Sequence, residues 1–416
     1  MTALRLVLLA VAVAGAVLRP YSLPSFVAPV VCSLIAIATG ATTLHGAGHD
    51  LRPLVDPLAF LLAAIPLAVL LDRLGYFEEL ASTLAGRSRI VGGMWVLAAA
   101  TVAVLNLDAA VVLLTPLYVR VANRKGLSPR FLGFQPVILA LLASSFLPVS
   151  NLTNLIAVAR YGVGPLSFFE HLGVPGLVAC AVGFLCYRAS ASVADGRVLV
   201  SPPGMPSAAV LLSPAAGCPP TPQRSRKSAL LIGSVVVALV LVGFVVGPSF
   251  GVSEWEIALA ADVVLMAVVR QVPFRRIPWG TALVAAGLGV LAGAAVEGLP
   301  LAALFHGSGP VAELRIAAAT AAGANVANNL PALLVALPFA GSAHGCALWP
   351  TLLGVNLGPS LLVTGSLASL LWAESMRNLG CPVHARQFFR VGLRVGLPAT
   401  AAALAALLLL APAFRC

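Results

Sequence analysis

The chain has 416 residues, of which 60% are hydrophobic and only 9% are charged. Soluble domains contain about 25% charged residues, so this composition excludes an ordinary soluble fold and predicts a bundle of membrane-spanning helices. The formal net charge of +11 does not indicate a nucleic-acid partner, because the basic residues are scattered through short loops without interleaved aromatic residues.

Twelve apolar segments follow one another along the chain, six before and six after a polar stretch. The polar stretch, residues 188–228, holds seven prolines between Pro202 and Pro222 and predicts a flexible, proline-rich cytoplasmic linker. Residues 6–18 have the short apolar region of a signal peptide, but the match between the halves favours a retained helix. The segments are 4–18, 24–43, 54–71, 90–122, 132–160, 172–187, 229–247, 253–269, 279–297, 311–340, 344–376 and 390–411.

The fourth segment of each half, 90–122 and 311–340, is too long for one simple crossing. A straight helix of about 30 residues is about 45 Å long, whereas the hydrocarbon core is about 30 Å thick. Each segment carries a polar tip in its middle, Asn106–Asp108 and Asn328–Asn329. We therefore expect two re-entrant hairpins whose short arms meet at these tips.

The fifth segment of each half, 132–160 and 344–376, is also long and is interrupted by helix-breaking residues. The first interruption runs from Pro148 through Asn154, and the second includes Pro359 and Gly365. Proline removes a backbone donor, and unwound backbone is tolerated at membrane depth only where it lines a cavity. Both segments are therefore predicted to be broken helices beside a cavity.

This organisation predicts an all-α polytopic membrane protein with two inverted repeats, residues 1–187 and 229–416. A hairpin returns to the side it entered, so each half crosses the membrane five times, and the second half is inverted relative to the first. The result is about ten transmembrane helices. Placing both termini outside puts 20 of the 25 lysines and arginines on the inner side, as the positive-inside rule requires.

Polar side chains inside the apolar segments are the candidate solute ligands. Hydrocarbon cannot satisfy amides and hydroxyls, so they must line an enclosed, wettable cavity between the repeats. Helix capping is the competing explanation for several of them, and small-residue packing for Gly365 and Ser366. The candidates are Asn106, Asp108, Ser150, Asn151, Asn154, Asn328, Asn329, Asn356, Gly365 and Ser366.

Asp108 is the candidate proton-coupling residue. It lies between two apolar arms, where an ionised carboxylate is costly unless it is paired, hydrated or protonated. Capping of the second arm is the competing role for Asp108, and it is compatible with proton coupling. Asp262, in the middle of the segment 253–269, is either a relay group or a structural partner, and the sequence leaves both possibilities open.

Motifs for catalysis and cofactor binding are absent from the sequence. There is no HExxH, no GxSxG and no Gly-Lys dipeptide, so neither a zinc protease, a serine hydrolase nor a P-loop is indicated. The six histidines are dispersed, and the seven cysteines form no CxxC pair. We therefore expect no enzyme activity, no metal site and no cofactor, with transport energy coming from an ion gradient or a separate ATPase.

Five stretches resemble signatures of the ArsB arsenite/antimonite efflux permeases, within the wider ion-transporter superfamily, and they occur in the same order along nearly the whole chain. The match to GSLATLLW is quite specific. The stretches are Asn106–Pro116 (ND…LTP), Val149–Asn154 (VSNLxN), Asn328–Pro331 (NNxP), Gly354–Pro359 (GCDLGP) and Gly365–Trp372 (GSLATLLW).

The resemblance implies a plasma-membrane carrier that exports arsenite or antimonite from the cytoplasm in exchange for protons, by alternating access between a scaffold and a transport unit. Some members of the family partner a soluble ArsA-type ATPase. Leu107 stands where the family usually has asparagine, Asn356 where it has aspartate, and Leu362–Val363 replace a threonine-proline pair. These departures bear on substrate identity and coupling stoichiometry and leave the fold unaffected.

Two other functions stay open at the level of sequence. One is a sodium- or proton-coupled carrier of another small anion or ion of the same superfamily. The other belongs to a different class, a membrane receptor or assembly protein that transports nothing.

Overall fold

The structure is a computed structural model that describes residues 1–18, 23–85, 90–194, 226–295, 301–341 and 347–410. Within these ranges the regular structure is entirely helical, which confirms the all-α prediction. The helices before the predicted linker are α1 (Thr2–Leu18), α2 (Val27–Ala38), α3 (Leu44–Leu51), α4 (Val55–Arg73), α5 (Tyr76–Ala85), α6 (Ile90–Leu105), α7 (Leu107–Arg124), α8 (Pro129–Gly133), α9 (Gln135–Leu142), α10 (Leu152–Tyr161) and α11 (Pro165–Ala194).

Ten α-helices follow the predicted linker within the described residues. Residues 195–225, most of the linker, lie outside the described residues, while α11 and the first helix below extend into its two ends. These helices are α12 (Arg226–Val246), α13 (Glu254–Val269), α14 (Trp279–Ala295), α15 (Ala302–Phe305), α16 (Pro310–Ala327), α17 (Asn329–Ala340), α18 (Leu348–Leu357), α19 (Leu367–Asn378), α20 (Ala385–Val391) and α21 (Leu397–Leu410).

Four described helical stretches are long and apolar enough to cross a membrane unaided. They are Leu44–Arg73, Pro165–Ser190, Ser228–Phe250 and Ala385–Leu410. Crossing the hydrocarbon core takes about 20 residues. The remaining apolar helices are shorter, and four of them, α6, α7, α16 and α17, flank the two predicted hairpin tips.

The helices α6 and α7 fold back on each other at Asn106. Asn106 has φ 90° and ψ 149°, a non-helical conformation with positive φ that stops α6, and its side chain accepts a hydrogen bond from the Asp108 amide at 2.9 Å to start α7. The Tyr118 hydroxyl donates to the Met94 carbonyl. Because these two residues lie twelve positions on either side of Asn106, the two arms run antiparallel rather than continuing as one rod.

The helices α16 and α17 meet at Asn328 in the same way. Asn328 has φ 79°, and its side-chain oxygen accepts from the Leu330 amide at 3.4 Å. Ile316 of α16 and Ala336 of α17 belong to one apolar cluster, so these arms also pack together. Asparagine suits both tips because its side chain caps the next helix, which offsets the strain of a positive φ.

The two broken helices share one backbone path. Between α9 and α10 the chain becomes extended at Leu147 (φ −135°, ψ 156°) and again at Asn151 (φ −148°, ψ 139°). Between α18 and α19 it becomes extended at Leu362 (φ −113°, ψ 137°) and at Ser366 (φ −144°, ψ 146°). Each extended pair encloses a short 3-10 turn, so the same break occurs once in each half.

Close helix packing holds the second hairpin against the second break. A Cβ added at Gly354 would lie 2.2 Å from the Thr320 hydroxyl, and one added at Gly358 would lie 2.4 Å from the Ala321 methyl group. Only glycine lets α16 approach α18 this closely, as in other small-residue membrane interfaces. Three further helix pairs, α2 with α14, α4 with α13 and α11 with α21, each join one helix from either half.

The short helices α3, α5, α8 and α15 are not among the segments predicted from hydropathy. α5 shows why, since Glu78 and Glu79 fill its first turn and break the apolar run. Glu78 pairs with Arg124 at 2.8 Å and with Arg120 at 3.6 Å at the far end of α7. A hydropathy scan finds continuous apolar runs, so it passes over half-polar helices of this kind.

Candidate functional site

A small cavity of about 70 Å³ lies where the two hairpin tips and the two breaks meet. It has room for a few water molecules or one small solute. Apolar walls come mainly from Ala16, Leu288 and Leu370, in both halves of the chain. The polar side chains that line it are Ser25, Asp108, Asn151, Thr153, Thr281, Asn328, Asn329 and Ser366.

Four helices begin at this cavity. The first turns of α7, α10, α17 and α19 contribute to its lining, and Asn106, Asn151, Asn328 and Ser366 are their N-cap residues. The unpaired N–H groups and the positive ends of the helix dipoles therefore converge on one small volume. Such an arrangement attracts oxygen atoms of a solute, whether neutral or anionic.

Asp108 supplies the carboxyl group of the cavity. Its side chain is 7% exposed, and its Oδ1 atom is buried without a hydrogen-bond partner among the described residues. No arginine or lysine is found among the described residues that line the cavity. A buried carboxyl without a counter-charge is stable only if it is protonated or if it receives a solute or water donor.

Ser366 presents a second unpartnered group at the cavity wall. Its Oγ atom is buried and has no hydrogen-bond partner within the described part of the chain, although Ser366 stands at the N-cap position of α19. Buried polar atoms normally have partners, so these two unpartnered oxygens, one from each half, are the candidate contacts for a polar ligand in the cavity.

Asn356 lies directly behind the cavity and ties the two broken helices together. Its Oδ1 atom accepts hydrogen bonds from Asn151 Nδ2 at 2.9 Å and from Thr153 Oγ1 at 2.8 Å. Its own Nδ2 atom donates to Asn154 Oδ1 at 2.6 Å. One amide of the second half thus fixes the positions of three side chains in the first break, two of which line the cavity.

Ser150 and Asn154 satisfy carbonyl groups that the first break releases. The Ser150 hydroxyl donates to the Ser144 carbonyl at 2.6 Å and to the Leu147 carbonyl at 2.5 Å. Asn154 Nδ2 also donates to the Ser144 carbonyl, at 2.6 Å. Their donors are engaged with the backbone, so these residues hold the break in shape.

The second break is held in a similar way, through residues of the second hairpin. Asn328 Nδ2 donates to the Thr364 carbonyl at 3.1 Å, and Asn325 Nδ2 donates to the Gly358 carbonyl at 2.7 Å. The Leu362 amide donates to Asn325 Oδ1 at 3.1 Å. At Gly365, an added Cβ would lie 2.8 Å from Cβ of Pro359, so glycine is needed for the tight turn.

The ten candidate residues therefore divide into two groups. Asp108, Asn151, Asn328, Asn329 and Ser366 line the cavity. The other five, all outside the cavity lining, shape the tips and breaks or connect them: Asn106, Ser150, Asn154, Asn356 and Gly365.

Sequence reasoning missed Ser25, Thr281 and Asn325. Ser25 precedes α2, and Thr281 lies in the first turn of α14, so both come from helices outside the hairpins and breaks. Single hydroxyls of this kind carry no motif. Asn325 did carry a signal, an amide within an apolar arm three residues before a hairpin tip.

Other reactive side chains lie away from the cavity. Cys32, Cys180, Cys186 and Cys381 are free thiols, and none of them lines it. Asp262 of α13 is 1% exposed with an unpartnered Oδ1 atom, also outside the cavity. Among the described residues, no three histidine, cysteine or acidic side chains lie together as metal ligands.

Comparison with known proteins identifies the family. The family model described as a citrate transporter matches residues 1–363. The arsenical pump membrane protein of Yersinia enterocolitica is 29% identical over 424 aligned residues, covering 91% of this chain and 92% of its own length. That of Escherichia coli K12 is 30% identical over 389 residues, covering 84% and 85%. The chain therefore belongs to the transporter family that the citrate-transporter model and the arsenical pump membrane proteins represent, and it is a multi-pass membrane transporter.

Proposed function

We propose that the protein is a secondary transporter that exports trivalent arsenite or antimonite from the cytoplasm in exchange for protons. The supporting observation is the meeting of hydroxyl, amide and carboxyl groups from both halves in one small cavity, with unpartnered oxygens at Asp108 and Ser366. At neutral pH the solute is a neutral trihydroxide, which offers three O–H donors and three oxygen acceptors to such groups.

The chemistry of the cavity favours a neutral solute over a multiply charged one. A tricarboxylate needs cationic partners, and the described lining contains one carboxyl group and no lysine or arginine. A trihydroxide needs only donors and acceptors, which the asparagine and serine side chains provide. The absence of cysteine from the described lining also suits release, because a thiolate cluster binds such a metalloid tightly.

Asp108 carries the exchanged proton in this proposal. The protonated carboxyl is the form that the buried site tolerates, whereas the ionised form is stabilised when a trihydroxide donates hydrogen bonds to it. Solute binding and proton release are therefore coupled at one side chain, and return to the unloaded state requires a proton from outside. Asp262 lies outside the cavity and takes no part.

Alternating access follows from the two inverted halves. In this arrangement α6–α7 is a re-entrant hairpin that opens towards the cytoplasm, α16–α17 is one that opens to the outside, and ten helices cross the plasma membrane with both termini outside. A soluble ArsA-type ATPase is an additional partner that would supply energy from ATP.

A carrier of a small anion is the second candidate. The citrate-transporter family match and the four helix N-termini at the cavity both favour it. A receptor or assembly protein has no comparable support, since the matched relatives are named as a transporter and as arsenical pumps.

Transport into everted membrane vesicles separates these candidates. The protein is expressed in bacteria that lack arsenical efflux, and uptake of labelled arsenite, antimonite and citrate is measured with an imposed pH gradient and then with a sodium gradient. We expect arsenite and antimonite uptake that the pH gradient drives and sodium does not. Uptake of citrate without uptake of arsenite or antimonite would establish the anion carrier. Uptake of none of the three would show that the protein transports none of them.

A further inference from the structure

A second cavity, away from the transport site, is a wide groove of about 1090 Å³ between α6 and α11. Small side chains of α6, including Gly92, Gly93, Ala99 and Ala100, form one wall. The opposite wall is made by α11, and Phe146 from the first break lies at the groove as well. Its lining is overwhelmingly apolar, which is the surface that a lipid acyl chain fills.

Arg188 lies at one end of this groove. It is exposed and stands close to the end of the apolar span Pro165–Ser190, where a long basic side chain reaches the lipid headgroups. Its guanidinium carbon lies 5.7 Å from the centre of the Phe184 ring, so the charge lies beside a ring that lines the groove.

Trp95 provides an independent indication of a ligand at the same end. Its side chain is 4% exposed and lines the groove, yet its Nε1 donor has no hydrogen-bond partner among the described residues. The indole packs against Phe184 at 5.6 Å and against Tyr187 at 5.3 Å. A buried indole N–H normally has an acceptor, so the groove is expected to hold one beside this ring.

The polar and apolar features together have the layout of a phospholipid. The guanidinium and the indole N–H flank one phenylalanine ring, and the apolar wall extends to Leu177, eleven residues before Arg188 in α11. Eleven helical residues span about 16 Å, enough for much of one acyl chain. A phosphate would accept from Arg188, and an ester carbonyl just below it would accept from Trp95 Nε1.

We infer that this groove is a binding site for one anionic phospholipid, which packs against the first hairpin and contacts the first break. A lipid fits this groove better than a free anion, because the groove is apolar along most of its length and the charge of Arg188 lies at its end. Binding of this lipid does not depend on which solute the protein transports.

The test uses the purified full-length protein, delipidated in detergent and then titrated with phosphatidylglycerol, phosphatidylcholine or glycerol 3-phosphate. Native mass spectrometry counts bound lipid, and the thermal melting temperature reports stabilisation. We expect one tightly retained phosphatidylglycerol, weaker retention of phosphatidylcholine and no effect of glycerol 3-phosphate.

Variants locate the site. Arg188→Gln is expected to weaken phosphatidylglycerol binding about tenfold, as loss of a charged hydrogen bond does, and Trp95→Phe to weaken it less. Ala100→Phe should block the groove and abolish retention. The matched controls are Arg390→Gln and Val112→Phe, an exposed arginine and an exposed valine that do not line the groove.

Two results would overturn the inference. Equal phosphatidylglycerol retention by the wild type, Arg188→Gln and Ala100→Phe would show that the lipid binds elsewhere. Stabilisation by glycerol 3-phosphate equal to that by phosphatidylglycerol would show a simple anion site at Arg188. Because Arg188 and Ala100 are exposed, their variants are expected to fold and the comparison stays interpretable.

Discussion

The two halves of the chain share backbone conformations at their tips and breaks but place different side chains there. Asn106 and Asn328 both have positive φ at their tips, but two positions later the first half has Asp108 and the second has Leu330. One position after the tip the order reverses, with Leu107 in the first half and Asn329 in the second. Both tips therefore contribute to the cavity, and among its described lining residues only Asp108 of the first half is ionisable.

The tips also differ in how their amides are used. Asn106 Nδ2 is buried without a partner among the described residues, whereas Asn328 Nδ2 donates to the Thr364 carbonyl. The second tip is thus fastened to its own break, and the first depends on its cap alone. Because Asp108 lies in the first half, we expect proton exchange to depend on that half. Because Asn328 bonds to the second break, we expect the second hairpin to be held more firmly than the first.

Replacing Asp108 is expected to reduce arsenite transport more than any other substitution. Asp108→Asn keeps the size and hydrogen bonding of the side chain but cannot lose a proton, so pH-driven arsenite uptake should fall to the level of empty vesicles. The matched control is Asp262→Asn, which alters the other deeply buried, unpartnered carboxyl outside the cavity and should leave uptake intact. Loss of coupling in the control instead would show that the exchanged proton is not confined to the first hairpin.

Replacing Asn356 removes the hydrogen bonds that connect the two halves behind the cavity. Asn356→Leu deletes three hydrogen bonds and leaves Asn151, Thr153 and Asn154 with buried unpaired atoms. Each such atom costs about 1–3 kcal/mol, so the free energy of unfolding in detergent should fall by about 3 kcal/mol or more.

Thr351→Val is the control for that variant, because the Thr351 hydroxyl bonds only to the Ala347 carbonyl of its own helical turn at 2.6 Å. Its loss should cost less than about 1 kcal/mol. Equal effects of the two substitutions would mean that the connection between the breaks contributes little.

Substitutions at the hairpin tips test how much the backbone conformation and the side chain of each asparagine contribute to stability. At either tip, alanine should destabilise the protein by about 1–2 kcal/mol more than glycine, because only glycine accepts positive φ without strain. Asn328→Gly should in addition cost about 1 kcal/mol more than Asn106→Gly, because it alone loses a hydrogen bond to another segment. Chemical denaturation of the four variants measures both differences, and a larger loss at Asn106 would reverse the assignment.

Loss of the Ser366 hydroxyl is expected to weaken arsenite binding only modestly. Ser366→Ala removes an unpartnered cavity oxygen and should raise the KM for arsenite by about threefold to tenfold without changing stability. Ser369→Ala, one turn further along α19, removes another buried unpartnered hydroxyl that does not line the cavity. An unchanged KM in the first variant, or the same rise in the second, would remove Ser366 from the site.

The helix ends at the two tips and the two breaks could be predicted because polar or helix-breaking residues in overlong apolar runs have few physical solutions. Asn106, Asn328 and the interruptions at Pro148 and Pro359 were of this kind. The bonding of Asn356 to Asn151 could not be predicted, because it joins residues 205 positions apart and no local pattern records such a pair. Thr281 was missed for a related reason, as one hydroxyl in an apolar helix usually bonds its own backbone.

In the proposed mechanism both halves hold one solute at once, and a double-mutant cycle on arsenite binding measures whether they do. Dissociation constants are measured in proteoliposomes for the wild type, Asp108→Asn, Ser366→Ala and the double variant. Groups that share a ligand couple by about 0.5–3 kcal/mol, so the combined loss should differ from the product of the single losses by at least about twofold. Strictly multiplicative losses, or variants that bind arsenite as the wild type does, would contradict a site shared between the halves.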